Sequence, residues 1–474
     1  MPDVPFPMLT TPGQAPQVAG GRLVNCYPEP LAATAGKPNV YWRVPGLSVW
    51  GTAPSGTYRG AVVTGGTFYG IFGNTVYSWT SAGGAGTPLT GSIPGTAFCW
   101  CAVNQNSPPD IVIVVPGTGA FTFSVGAGAV SNYPGVVVGS PNSVVFMGGY
   151  FLFTYGSGTT FASDVNSTNI QSINFATAQS KPDALYRPMP LGNGQFLLAG
   201  ANTMEVWGPP INNLAYPYSY ISTIYRGIPG PSAIAGNEDG WGKGIFFVGD
   251  DNKVSTLTTY TPTPISVPDL DQLIEATSDK TTIKVGVYVS RGHGMVVVQS
   301  PTWCWEYDTT LQSWHERQSY LQTFWRGYQP VNAFGNWLCG DTLGANLLQI
   351  NGTVRKEVSN PLRMRIETGP LGAFPRVVRI NGIELYMTKG ASIATGHDPD
   401  ETNAMVEISM SKNGGQSWSN ARQVIIGPQS ITTRRARAAI WGSAEIQGVR
   451  WRFDESAGLN FGFMGADMLL DVLR

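Results

Sequence analysis

The feature that most constrains this chain is a recurring strand–turn–strand unit. Thr67–Ile71 leads through Gly73-Asn74 into Thr75–Trp79, and Ile245–Val248 turns at Gly249–Asn252 into Val254–Leu257. Gly194–Leu198 with Met204–Trp207, Met295–Gln299 with Trp303–Tyr307 and Ser313–Glu316, and Trp337–Gly340 with Asn346–Ile350 repeat the theme. Each unit is a short apolar run, a Gly/Asn/Asp turn and a returning run, which is the hairpin signature. Over 41–352 the units recur about every 40–50 residues, the length of a four-stranded propeller blade. No WD dipeptide or kelch glycine pair marks the repeats, so the pattern predicts an irregular all-β propeller of about six or seven blades.

Composition agrees with many short packed strands. Charged residues make up 12% of the 474 residues, against roughly 25% in ordinary globular chains, while aromatics reach 11%. The 59 glycines and 35 prolines supply the turns. A net charge of −1 argues against uniform attraction to nucleic acid or an anionic membrane. The Pro/Gly-rich opening has no secretory character, and no apolar run approaches the roughly 20 residues of a membrane span.

One segment breaks the β pattern. In Pro268–Ala276, Leu270, Leu273 and Ile274 stand at helical spacing behind a proline and early acids, which predicts a short helix between blades. After Asn360-Pro361 the texture shifts to longer alternating strands: Arg363–Thr368, Arg376–Tyr386, Ala404–Ser411, Ala421–Ile426, Arg434–Trp441 and Val449–Phe453. That pattern suits a β-sandwich. The expected organisation is an extended arm over 1–20, a propeller over 21–360 and a C-terminal β-sandwich over 361–474.

Candidate chemistry is sparse. Ser411, Asn413, Gly415 and Trp418 form an Asp-box-like pattern with Asn in the Asp position, read as a structural turn in which a side-chain carbonyl caps backbone amides. Arg434, Arg435 and Arg437 are the one basic cluster; they are read as a solvated face, a subunit contact or a contact to DNA phosphates. The loop Gly396–Asn403 and the turn Asp250–Asn252 gather acids without EF-hand spacing and read as surface turns. His293, His315 and His397 show no metal-ligand spacing; His315 follows Trp314 on what reads as an exposed return strand. Five cysteines without a CxxC pair read as buried free thiols, with Cys99 and Cys101 on one strand face. Nucleophile-elbow, P-loop and dinucleotide fingerprints are absent, so no catalytic, cofactor-binding or metal-binding residue is assigned.

Four collinear stretches carry a resemblance. They are Arg22-Leu-Val-Asn-Cys-Tyr-Pro-Glu29 ahead of Val44-Pro-Gly-Leu47; Ile173-Asn-Phe-Ala-Thr-Ala-Gln-Ser-Lys-Pro-Asp183 ahead of Met204-Glu-Val-Trp207; Gly292-His-Gly-Met295 ahead of Tyr307–Glu316; and Ser411–Trp418. In that order the chain resembles the tail-hub, or packaged-DNA stabilisation (tail accessory), proteins of short-tailed bacteriophages. The resemblance implies a non-enzymatic virion tail component, assembled in the host cytoplasm as a homohexameric ring and needing no cofactor. Its implied partners are the portal and adaptor proteins above and a tail needle, tip, fibre or spike below, with double-stranded DNA passing non-specifically at ejection. It implies no membrane partner. A second reading from the residues is a glycan-binding or glycan-hydrolysing propeller tail protein, with Tyr216, Tyr218 and Tyr220 stacking on sugars.

Overall fold

A computed structural model describes residues 3–15, 19–32, 36–134, 139–178, 180–209, 215–371 and 377–473. Gln179 of the second stretch above and Arg376, expected to open a strand, lie outside them, as do residues 1, 2 and 16–18 of the arm.

Among the described residues, seven four-stranded antiparallel blades follow one another along 46–351. Their first strands are Tyr58–Thr64, Trp100–Val103, Ser143–Met147, Leu185–Pro190, Ile234–Ala235, Lys284–Ser290 and Gly327–Ala333. These first strands touch their neighbours around a ring, and the seventh meets the first. Between the fourth and fifth, Arg187 Nη1 donates to the Ile234 carbonyl at 2.5 Å. Second strands such as Phe196–Gly200 and Ile245–Val248 are buried on both faces because blades pack on either side. They therefore read as continuous apolar runs rather than as alternation.

The ring closes with chain from the other end of the propeller. The seventh blade supplies Gly327–Ala333, Asn336–Asp341 and Asn346–Asn351, and its fourth strand is Gly46–Thr52, with Leu47 opposite Ile350. Small residues let the first and seventh blades meet. A Cβ on Gly340 would lie 2.1 Å from the Tyr58 ring, so only glycine fits beneath that tyrosine. The helix Pro268–Ala276 forms where its pattern places it, between the fifth and sixth blades, with Leu270 and Ile274 fully buried. Asp269 in its first turn accepts a bond from the Gly13 amide at 2.8 Å, which ties the N-terminal segment down.

The C-terminal strands make two sheets. Met364–Thr368, Arg450–Glu455, Ala404–Ser411 and Arg422–Gly427 extend the sixth blade into one nine-stranded sheet, joined to it through Gly21–Val24. Gly462–Val472, Val377–Met387 and Ala436–Glu445 pair with Asn39–Arg43, Cys26–Pro30 and Asp3–Val4 in the other. Ile366, Ile408 and Phe453 from the first sheet and Ile383, Leu385 and Met468 from the second share a single core. Hydrogen bonding thus crosses the boundaries expected at 20/21 and 360/361. Val4 pairs with Ala466, Val24 with Arg365 and Tyr41 with Phe463. The reason is coverage: Val4, Leu23, Cys26 and Tyr41 are apolar side chains whose burial is completed by the C-terminal strands.

Candidate functional site

The Asp-box-like residues form a tight turn after Ala404–Ser411. Asn413 Oδ1 accepts from the Ser417 amide at 2.9 Å and from the Ser411 hydroxyl at 2.9 Å. Ser411 Oγ in turn accepts from the Gly415 amide at 2.8 Å. Gly414 and Gly415 take φ of 73° and 96°, which side-chain-bearing residues rarely adopt. Trp418 is half-buried, and the Arg452 guanidinium stacks 3.9 Å above its ring. Ser411, Asn413 and Gly415 are engaged in holding the turn, and Trp418 stacks with Arg452 beside it.

The basic cluster is only partly free. Arg434 and Arg437 are exposed, whereas Arg435 grips Glu384 through Nε at 2.7 Å and also through Nη2. That bidentate bond, acting against partial burial, holds the Glu384 carboxyl below its ordinary range. Arg437 lies directly across the strand pair from Glu384. The cluster therefore presents the exposed Arg434 and Arg437 guanidiniums beside the Arg435–Glu384 pair.

Other sequence candidates have partners inside the fold. Asp398 caps the short turn of helix Pro399–Thr402, and Lys356 Nζ reaches Glu401 at 2.6 Å and Asp398 at 3.4 Å. Arg226 Nη1 lies 3.1 Å from Asp250 and its Nη2 3.4 Å from Asp251. No group of three potential metal ligands occurs among the described residues. The five cysteines are free, and Cys101 is the one that is not fully buried. Tyr216 and Tyr218 are core residues, bonded to Thr160 and to the Met147 carbonyl, so of the three tyrosines offered to sugars only Tyr220 is exposed.

His315 corrects an expectation. Its strand is not an exposed edge, because Val24 pairs alongside Glu316 and Tyr27 covers the ring. His315 is fully buried, with Nε2 2.9 Å from Glu306 Oε2. Tyr288 donates to the other oxygen of that carboxylate at 2.9 Å, and Arg317 stands 3.7 Å away. Burial alone would raise the Glu306 pKa; Arg317 and His315 overcome it, so the carboxyl sits below its usual range. His293 pairs with Asp308 at 2.7 Å in the same blade.

Two features escaped the sequence reading. The first is a ladder of charges across the nine-stranded sheet, on the face away from the core. Arg22 bonds Glu316 and approaches Glu367 at 3.8 Å; Glu367 accepts from Arg452 at 2.9 Å; Arg365 bonds Asp454 at 2.6 and 2.9 Å. The ladder spans the seam between blade six and the C-terminal strands. Arg43 and Glu455 form a buried ion pair behind it.

The second is a cavity of about 430 Å³ at one end of the central ring, where first strands of several blades begin. Tyr58, Trp100, Tyr328, Ser232, Arg59 and Lys284 line it. Arg59 donates to the carbonyls of Gly73, Ile93, Pro94 and Ala97. Lys284 lies 3.8 Å from the Tyr328 ring centre, and burial pushes its ammonium down to about 8.

Comparison with known proteins adds one family. A family model described as Bacteriophage P22 Gp10, beta-propeller, matches residues 21–355. No curated protein sequence matches the chain. Among solved structures, the WD40 beta propeller domain of Doa1 is 12% identical, with 64% of this chain and 96% of that one covered at a TM-score of 0.41. U3-55K is 12% identical over 65% and 99%, at 0.43. The computationally designed Ika8 protein is 9% identical over 73% and 100%, at 0.40.

Proposed function

The chain belongs to the phage-stabilisation family of β-propellers represented by phage P22 Gp10, and from that premise we propose that it serves as a hub in the tail of a short-tailed phage. In this reading it assembles as a homohexameric ring between the portal and adaptor proteins and the distal needle, tip, fibre or spike. The ring retains the packaged genome and becomes its conduit at ejection. The family match over 21–355 carries the proposal.

The geometry supports a mechanical role. We read 361–474, together with strands lent by 3–43, as a β-sandwich fused to the propeller. A nine-stranded sheet runs without interruption from blade six into that unit, so bending at the seam would break backbone hydrogen bonds and the charge ladder together. A component that holds pressurised DNA needs such stiffness. Arg434 and Arg437 would face an acidic neighbour or passing phosphates. The weak net charge suits a conduit that releases DNA without retaining it.

Cryo-electron microscopy of intact particles tests the reading, with mass photometry of the purified chain beside its portal and adaptor proteins. Six copies on the tail axis in contact with the portal complex uphold it. A monomer absent from particles, or a trimer at the tail periphery, overturns it.

A further inference from the structure

Blades six and seven meet the C-terminal strands around a second cavity, of about 500 Å³, lined by Ser290, Arg291, Asn336, Trp337, Thr353, Arg355 and Asn460 among others. Gly352 is its floor. The Arg291 side chain lies against the Cα of Gly352, where an added Cβ would come within 2.9 Å of its Cγ. Arg355 Nη1 donates to the Gly352 carbonyl at 2.5 Å from the other side. The Arg291 stem and the Arg355 guanidinium are therefore brought to one glycine.

No carboxylate is present among the lining residues. Arg355 is 4% exposed and, among the described residues, bonds only neutral acceptors, Asn460 Oδ1 and the carbonyls of Gly352 and Val354. Burial first and the neighbouring Arg291 second depress its pKa to about 10, so its charge is uncompensated where it stands. The Arg291 guanidinium makes no hydrogen bond or ion pair with the described residues; it rests 5.7 Å from the Trp42 ring and is exposed at the cavity mouth. It is carried on a tight hairpin turn with a φ of 53°, a conformation uncommon for a residue with a side chain. The Ser290 hydroxyl and the second amide hydrogen of Asn336 add donors, while the Thr353 hydroxyl already donates to Asn351 Oδ1 at 2.7 Å.

We propose that this cavity binds a phosphate-class oxyanion, held between Arg291 and Arg355 and bonded by the surrounding hydroxyl and amide groups. Two arginines sharing a site without a counter-ion repel one another, and a tetrahedral oxyanion relieves that repulsion while accepting from both. Because Asn460 belongs to the C-terminal unit and Arg291 to blade six, the bound anion would pin the two together. The anion is either free phosphate or a backbone phosphate of nucleic acid. The inference does not rest on the tail-hub reading.

Isothermal titration of the full chain with inorganic phosphate, at constant ionic strength against chloride, tests it. The expected result is saturable binding that falls about tenfold or more in Arg291→Gln and is unchanged in Arg226→Gln, an arginine already paired on another blade. In the unmodified chain, phosphate should slow amide hydrogen exchange over 289–292 and 351–355. Competition by a short DNA duplex identifies a nucleic-acid phosphate as the source; failure to compete identifies the free anion. Absence of any Arg291-dependent phosphate or duplex binding, with no exchange protection at those segments, overturns the proposal.

Discussion

Arg22 holds Glu316 by a two-pronged bond, Nε to Oε1 at 2.8 Å and Nη2 to Oε2 at 2.7 Å. One residue lies near the chain's start and the other on the last strand of blade six. Arg22 also faces Glu367 of the C-terminal strands in register. This side chain therefore ties three separated parts of the sequence into one sheet. Arg22→Ala would leave two largely buried carboxylates short of a counter-charge. The expected cost is about 1–3 kcal/mol in urea denaturation, and it should exceed that of Glu316→Gln, which removes charge from the same contact.

Gly340 and Tyr58 set the closure of the ring. Gly340→Ala forces a methyl into the tyrosine ring, and the expected loss is about 1–3 kcal/mol. The penalty should shrink sharply in a Tyr58→Ala background. A double-mutant cycle read by thermal unfolding measures that coupling.

Acid should weaken the sixth blade. The Glu306 carboxyl has a depressed pKa in the folded chain, since Arg317 and His315 outweigh the effect of burial. Its contribution is complete above the unfolded value of about 4.3 and is lost as pH falls through the lower folded value. Glu306→Gln should be less stable at pH 7 and show a shallower decline below about pH 4. Equilibrium denaturation across pH 3–7 checks both.

Lys284 contributes with the same sign at alkaline pH. Burial lowers the Lys284 ammonium to about 8, while an unfolded lysine keeps its proton until about 10.4. Between those values the unfolded lysine holds more protons than the folded one, so the contribution of this group to stability rises with pH, opposed by the buried cysteines, whose thiols burial holds protonated in the fold. Lys284→Met should remove that contribution, so the stability of the unmodified chain relative to the variant should increase from about pH 8 to 10, as read by paired denaturation midpoints.

The turn at Asn413 makes a simple test of side-chain capping. Asn413→Ala removes the acceptor for the Ser417 amide and should cost about 1–2 kcal/mol, whereas Asn413→Asp keeps an acceptor there and should cost about 0.5 kcal/mol or less. Thermal unfolding distinguishes the two.

Legibility followed the range of the interaction. Local signals were read well: the Gly249–Asn252 turn, the Pro268–Ala276 helix and the paired strands around each Gly/Asn turn all depend on neighbours in sequence. The 11-residue strand Gly462–Val472, beside which Val377–Met387 lies, was missed. Its stretch Ala466–Leu470 is a nearly continuous apolar run, which alternation cannot recognise. His315 was misplaced because nothing near it announces that Val24, far away in the chain, covers its strand. The Arg22–Glu316 bond and the two-arginine cavity were invisible for the same reason. Single charged residues carry no pattern until the fold brings them together.

The strand that completes blade seven is synthesised long before its blade partner. Gly46–Thr52 has to wait for Asn346–Asn351, about 300 residues later, which at typical synthesis rates of 5–20 residues per second is roughly 15–60 s. During that interval the strand has, among the described residues, only the short Gly84–Ala85 segment beside it, at Gly51 and Thr52. A nascent chain cut short anywhere before 346 has no seventh blade to dock that strand, so prematurely terminated products are left with an open ring and an adhesive edge. Translation through Asn351 thereby becomes a condition for a closed ring.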